Sequence, residues 1–207
     1  MSGTESTIIG IVIFLFSVVF HEVAHGWVAF ALGDSTAKRE GRLTLNPLKH
    51  LDPIGTILIP AMLILMGLPG FGWARPVPVN PYNFKDQKYG SAKVSIAGPV
   101  ANLALALIFG LILRIFPGLI ALPGLYLMFS YIVYINLLLA VFNLLPVPPL
   151  DGSHILFTFL PSEMENLKIF LSQFGIFILL FIIFFFFRWL FLLINWIFTL
   201  IVGSPLF

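Results

Sequence analysis

Cysteine is absent from all 207 positions, which excludes a disulfide scaffold, a thiol nucleophile and any zinc or iron–sulfur centre built on thiolates. Charge is scarce as well. Asp, Glu, Lys and Arg together make up 10% of the chain, and 59% of it is apolar. The mean hydropathy is +1.05. A soluble domain carries about 25% charged residues, so this chain has too little polar surface to cover a soluble globule. The same numbers exclude intrinsic disorder. The net charge is only +2, so a few loop cations account for the basic isoelectric point and no nucleic-acid-binding surface is implied. What fits is an all-α polytopic membrane protein.

A spanning helix needs roughly 20 mostly apolar residues. The first candidate runs from about Thr7 to Leu32, and its one charged side chain before Asp34 is Glu22, flanked by His21 and His25. A short second run, Ile54 to Leu68, is interrupted by Pro60 and closed by Gly67, Pro69 and Gly70. It reads as a short span or a re-entrant segment. Longer runs follow at about Ser91–Ile115 and Leu119–Leu145. A Phe-rich stretch from Leu167 to Val202, with Arg188 as its one charge, reads as two short spans or one long tilted one. The expectation is five or six membrane segments in a single domain over 1–207, with a core at about 7–160 and Phe-rich helices at about 167–203.

Lys and Arg are missing from the first 37 residues and collect in 33–53 and 70–93. Cytoplasmic loops gather these residues, so both polar stretches are expected inside and the N-terminus outside. Residues 54–74 must then enter and leave on one side. Trp73 to Pro81 is interrupted by Pro76, Pro78 and Pro81, which forbids a helix and predicts an extended return. His50 is expected to be solvated in its loop.

His21-Glu22-Val23-Ala24-His25 is H-E-x-x-H. Residues i and i+4 share a helix face. Two imidazoles there can hold one zinc ion, and the glutamate can act as general base toward a water that the metal activates. From Thr7 to His21 is about 21 Å of helix, which puts the cluster inside the bilayer and nearer the cytoplasmic face. Ionisable groups at such depth are costly and functional by default. A third ligand is required. Most of the other eight acidic residues lie in polar loops or flanks, which leaves Asp151, in Asn143-Leu144-Leu145-Pro146-Val147-Pro148-Pro149-Leu150-Asp151-Gly152. The prolines break the fourth run there, and Gly152 permits a tight turn. His154 is a rival ligand that spacing does not eliminate.

The H-E-x-x-H in a first apolar helix, the A-G-P-x-x-N at Ala97–Asn102 and the stretch from Asn143 to Gly152 resemble the site-2 protease family of intramembrane zinc metalloproteases. The G-W-A-R-P-V-P-V-N at Gly72–Asn80 resembles its small prokaryotic branch, which lacks PDZ and CBS domains. The resemblance implies a three-helix catalytic core made of the first, third and fourth long runs. It implies one Zn2+ per chain on His21, His25 and Asp151, with Glu22 as base. It places Asn143 near the scissile carbonyl. Asn102 either touches substrate or bonds between helices. The expected partners are a membrane-protein substrate helix and the lipid bilayer of a prokaryotic cytoplasmic membrane, with no nucleic acid. The extended Trp73–Asn80 stretch either offers strand-like pairing to an unwound substrate or is a rigid connector. Two other readings compete. One is an ion or proton transporter using the buried His/Glu/Asp site, which the lack of internal repeats disfavours. The other is a catalytically silent zinc-binding scaffold.

Overall fold

The computed structural model describes residues 3–52, 55, 58, 62, 65, 66 and 75–205. Among these the α-helices are α1 (Gly3–Ala31), α2 (Thr36–Arg39), α3 (Gly90–Ile115), α4 (Pro123–Asn143), α5 (Asp151–Phe159) and α6 (Glu165–Val202), joined in part by short 3-10 turns. No strand occurs among the described residues. Four stretches are helical, long and apolar enough to cross a bilayer: Glu5–Ala31, Gly90–Ile115, Pro123–Asn143 and Ser162–Val202. The chain is an all-α polytopic membrane protein.

The run at 54–68 falls largely outside the described residues, as do Trp73 and Ala74 of the extended stretch. The Phe-rich C-terminal stretch forms one uninterrupted 38-residue helix. At 1.5 Å per residue α6 is about 57 Å long, nearly twice the roughly 30 Å hydrocarbon core.

α1 ends because Gly33 takes φ of +112°. Gly33 N–H donates to the Phe30 carbonyl and Asp34 N–H to the Ala29 carbonyl, a Schellman closure of the last turn. That closure sets Asp34 just beyond the helix. α1, α3 and α4 pack on one another, α5 lies against α3, and α6 lies against α3 and α4. Ala106 and Leu113 of α3, Val133 and Leu137 of α4, and Ile194 and Phe198 of α6 form the largest buried apolar cluster. Outside it α6 shows a Phe-rich wall, with Phe184 79% and Phe185 70% exposed. That wall suits a lipid-facing surface, because apolar side chains need no protein cover against acyl chains.

Two connections carry the polar residues to one end of the three-helix core. Residues 75–80 run without regular structure. Residues 144–150 turn tightly, with Leu145 N–H bonded back to the Phe142 carbonyl at the end of α4 and the Val147 and Leu150 N–H groups to carbonyls within the turn. Pro146, Pro148 and Pro149 have no N–H to satisfy. Gly152 does not have the positive φ its turn position suggests. It is needed for close approach instead, since a methyl there would collide with the Leu144 and Leu145 carbonyl oxygens.

Candidate metal centre

His21 and His25 sit one turn apart on α1 and are 7% and 8% exposed. Their rings stand edge to face. The Nδ1 of His25 lies 2.7 Å from the Val94 carbonyl oxygen of α3. A carbonyl only accepts, so that nitrogen carries the proton. The Nδ1 of His21 lies 2.6 Å from Asn102 Oδ1. The Asn102 amide nitrogen is committed to the Ser17 carbonyl, 3.2 Å away, so its oxygen must face the imidazole. His21 therefore also carries its proton on Nδ1.

The consequence is at the other side of each ring. Both Nε2 atoms present lone pairs, and they lie 3.0 Å apart. Asp151 Oδ2 lies 3.0 Å from one and 3.3 Å from the other. With both rings neutral, three acceptors converge with no proton among them, an arrangement that repels itself unless a cation sits between. These spacings match the edges of a tetrahedron with bonds of about 2.0 Å, for which the edge is about 3.3 Å. His21, His25 and Asp151 form the metal-competent group among the described residues.

Gly98 makes room for this arrangement. A methyl at that position of α3 would lie 2.5 Å from His21 Nε2 and 2.5 Å from His25 Nε2. The A-G-P-x-x-N segment thus lays bare backbone against the two rings and, one turn later, supplies Asn102. Asp151 reaches them because the proline-rich turn starts α5 at that residue.

Glu22 points to the opposite wall. Its Oε2 accepts a hydrogen bond from the Val77 N–H at 2.8 Å. Glu22, His21, His25, Asp151, Asn143 and His154 line one cavity of about 420 Å³, whose far side includes Val77 and Val79. Asn143 bonds back to the Leu139 carbonyl. His154 borders the cavity but stays outside the ligand trio. Asn102 does not line the cavity: it is fully buried behind His21. Its hydrogen bonds join α3 to α1 and α4, the interhelical one of its two expected roles.

Some residues matter in ways their loop positions conceal. His50 is fully buried rather than solvated. Its Nε2 donates to the Thr44 carbonyl, and its own carbonyl accepts from Arg75 N–H. Arg42, 5% exposed, donates to the carbonyls of Arg75 and Pro76. Asp34, also fully buried, accepts from Asn80 N–H at 2.7 Å, from the Asn83 side chain and from Thr36. Residues 75–80 are therefore fastened along their length by groups from α1 and the loop after it. Burial alone would raise the Asp34 pKa, but these donors outweigh it and hold the carboxyl below its ordinary value.

Peptidase family M50 matches residues 118–182, a span that holds Asn143 and Asp151. Relatives that carry the name "Putative zinc metalloprotease" match the chain. One, YwhC of Bacillus subtilis (strain 168), is 50% identical over 157 residues, covering 73% of this chain and 68% of its own. The chain belongs to peptidase family M50, the site-2 protease family. Another relative, Rip2 of Mycolicibacterium smegmatis (strain ATCC 700084 / mc(2)155), is 35% identical over 141 residues, covering 67% of this chain and 52% of its own. The M50 chain described here thus spans about two thirds of YwhC and half of Rip2. No solved structure matches it.

Proposed function

We propose that this M50 chain is an intramembrane zinc endopeptidase that cuts peptide bonds within or near membrane-spanning segments of other proteins. One observation carries the reading: three ligand atoms from two imidazoles and a carboxylate converge in a largely apolar helix bundle, one residue from a carboxylate that lines the same cavity. His21, His25 and Asp151 would hold one zinc ion, and the zinc-metalloprotease names of YwhC and Rip2 support that metal. When bound, zinc supplies a Lewis acid that makes water nucleophilic near neutral pH and polarises the scissile carbonyl.

The residues do the rest. Glu22 takes a proton from the attacking water as the water oxygen bonds to the carbonyl carbon. It then delivers that proton to the amine nitrogen as the C–N bond breaks. Asn143 keeps one amide N–H on the Leu139 carbonyl. Its second N–H is free to donate to the oxyanion. A membrane helix hides its peptide bonds in internal hydrogen bonds, so a few residues of substrate must unwind. Residues 75–80 supply a non-helical wall for them, with Val77 and Val79 at the cavity. The cation-rich stretches 33–53 and 70–93 favour a cavity that opens toward the cytoplasm.

The test compares membrane fractions of cells carrying the wild-type chain or Glu22→Gln, with proteolytic fragments catalogued by mass spectrometry. Glu22→Gln should retain zinc and fold while its Glu22-dependent fragments drop by a factor of about 10² or more. Equal fragment yields from the two would overturn the protease reading.

A further inference from the structure

We infer that Asn136 of α4 is a positioning residue that fixes the tautomer of His21 through Asn102, although it touches neither the cavity nor a metal ligand. The inference rests on the zinc reading for its consequence, but its observable is the position of one proton.

The polarity of the chain of contacts follows from backbone groups that can only accept. Asn136 places Nδ2 2.8 Å from the Ile132 carbonyl. Its other Nδ2 proton goes to Ser17 Oγ at 2.9 Å. Asn136 Oδ1 is thereby turned toward α3, where it accepts from Asn102 Nδ2 at 2.7 Å. That same nitrogen uses its second proton on the Ser17 carbonyl. Asn102 Oδ1 is left facing His21 Nδ1. All four amide protons of the two asparagines are used, and both side chains are fully buried. Such a saturated network in a low-dielectric interior has one orientation and resists reversal.

The direction is what matters. If Asn102 turned over, its NH2 would face His21, Nδ1 would have to accept, and the proton would move to Nε2. That nitrogen would then have no lone pair for a metal. The Ser17 carbonyl, at 3.2 Å, is the longer of the two contacts that oppose this reversal. The shorter comes from Asn136. Three helices therefore contribute to one ring's proton: α1 through Ser17, α3 through Asn102 and α4 through Asn136.

The experiment uses the full chain in detergent. Long-range 1H–15N correlation of 15N-histidine protein reads the His21 tautomer without metal, and competition with a chelating dye reads the zinc affinity. Wild type should show the Nδ1–H form. Asn136→Leu should show a substantial Nε2–H population and bind zinc about tenfold more weakly. Asn136→Asp gives up the donations to Ile132 and Ser17 but still accepts from Asn102, and should keep the wild-type tautomer. Adding Asn102→Asp to Asn136→Leu should restore both readouts, because a carboxylate accepts from His21 whichever way it turns. Should Asn136→Leu not fold, Asn136→Ala carries the same expectation, since small residues are well tolerated between membrane helices. A wild-type tautomer and unchanged zinc affinity in the folded variant would overturn the inference. A shifted tautomer with no zinc bound even by wild type would overturn the metal reading and leave this one standing.

Discussion

At Gly98 the absent side chain is the functional feature. The Cβ of an alanine would lie 2.5 Å from both Nε2 atoms, and neither ring can retreat, because each is hydrogen-bonded at its other nitrogen. Gly98→Ala should therefore leave the helices in place and lower zinc affinity at least tenfold, with cleavage falling about 10²-fold through misplacement of the ligands. Chelator competition and a fragment assay on the same preparation check both. Zinc affinity at wild-type level would mean that the cradle is looser than its contacts indicate. This is also the scale at which the sequence was most readable. A spacing of four puts His21 and His25 on one face, and Asp151 is an acid whose flanking prolines break a span. Asn102 was legible as a polar residue in an apolar run, but its role was not. Which way its amide faces depends on carbonyls from another helix. The burial of His50 was hidden for a similar reason, since its partners come from the loop itself and from residue 75.

At the scale of elements, the wall at 75–80 keeps its position by borrowed hydrogen bonds. Its prolines forbid a helix, and no neighbouring strand exists among the described residues to pair with it. Asp34 is its main anchor at the C-terminal end. The prolines made the absence of a helix at 75–80 predictable. The anchors were not, because Asp34 and Arg42 look like ordinary loop charges until the chain returns to cover them. The pH dependence follows from the sign of the shift. The Asp34 carboxyl is held below its ordinary 3.8 in the folded protein. Its contribution is thus fully present above the unfolded-state pKa and is lost as pH falls through the lower folded-state value. Asp34→Asn should destabilise the protein by about 1–3 kcal/mol at neutral pH, the cost of giving up charge-assisted bonds to buried donors. The gap between variant and wild type should narrow below about pH 4. Thermal unfolding in detergent across that range measures it, and a gap that stays constant down to pH 3 would remove Asp34 from its anchoring role.

For the whole molecule, charge and helix count together constrain topology. Nine of the eleven Lys and Arg residues lie at 38–93 or at position 168; the others are Arg114 and Arg188. If α1, α3, α4 and α6 each cross once and residues 54–74 return to the side they left, all nine fall on one face. The start of α1, the connection at 116–122 and the end of α6 then share the opposite face. If the 54–68 run crosses instead, the cations before it and those after it fall on opposite faces, against the tendency of Lys and Arg to collect on one side. The absence of cysteine makes the test direct, since each single introduced thiol reports alone. Lys49→Cys, Lys88→Cys and Glu163→Cys should be shielded from a membrane-impermeant maleimide in intact cells and labelled after lysis. Ser6→Cys, Gly118→Cys and Ser204→Cys should be labelled from outside. Opposite accessibility of Lys49→Cys and Lys88→Cys would show that 54–68 spans the bilayer. The wall at 75–80 would then follow a crossing segment, and the same-side return of residues 54–74 would have to be abandoned.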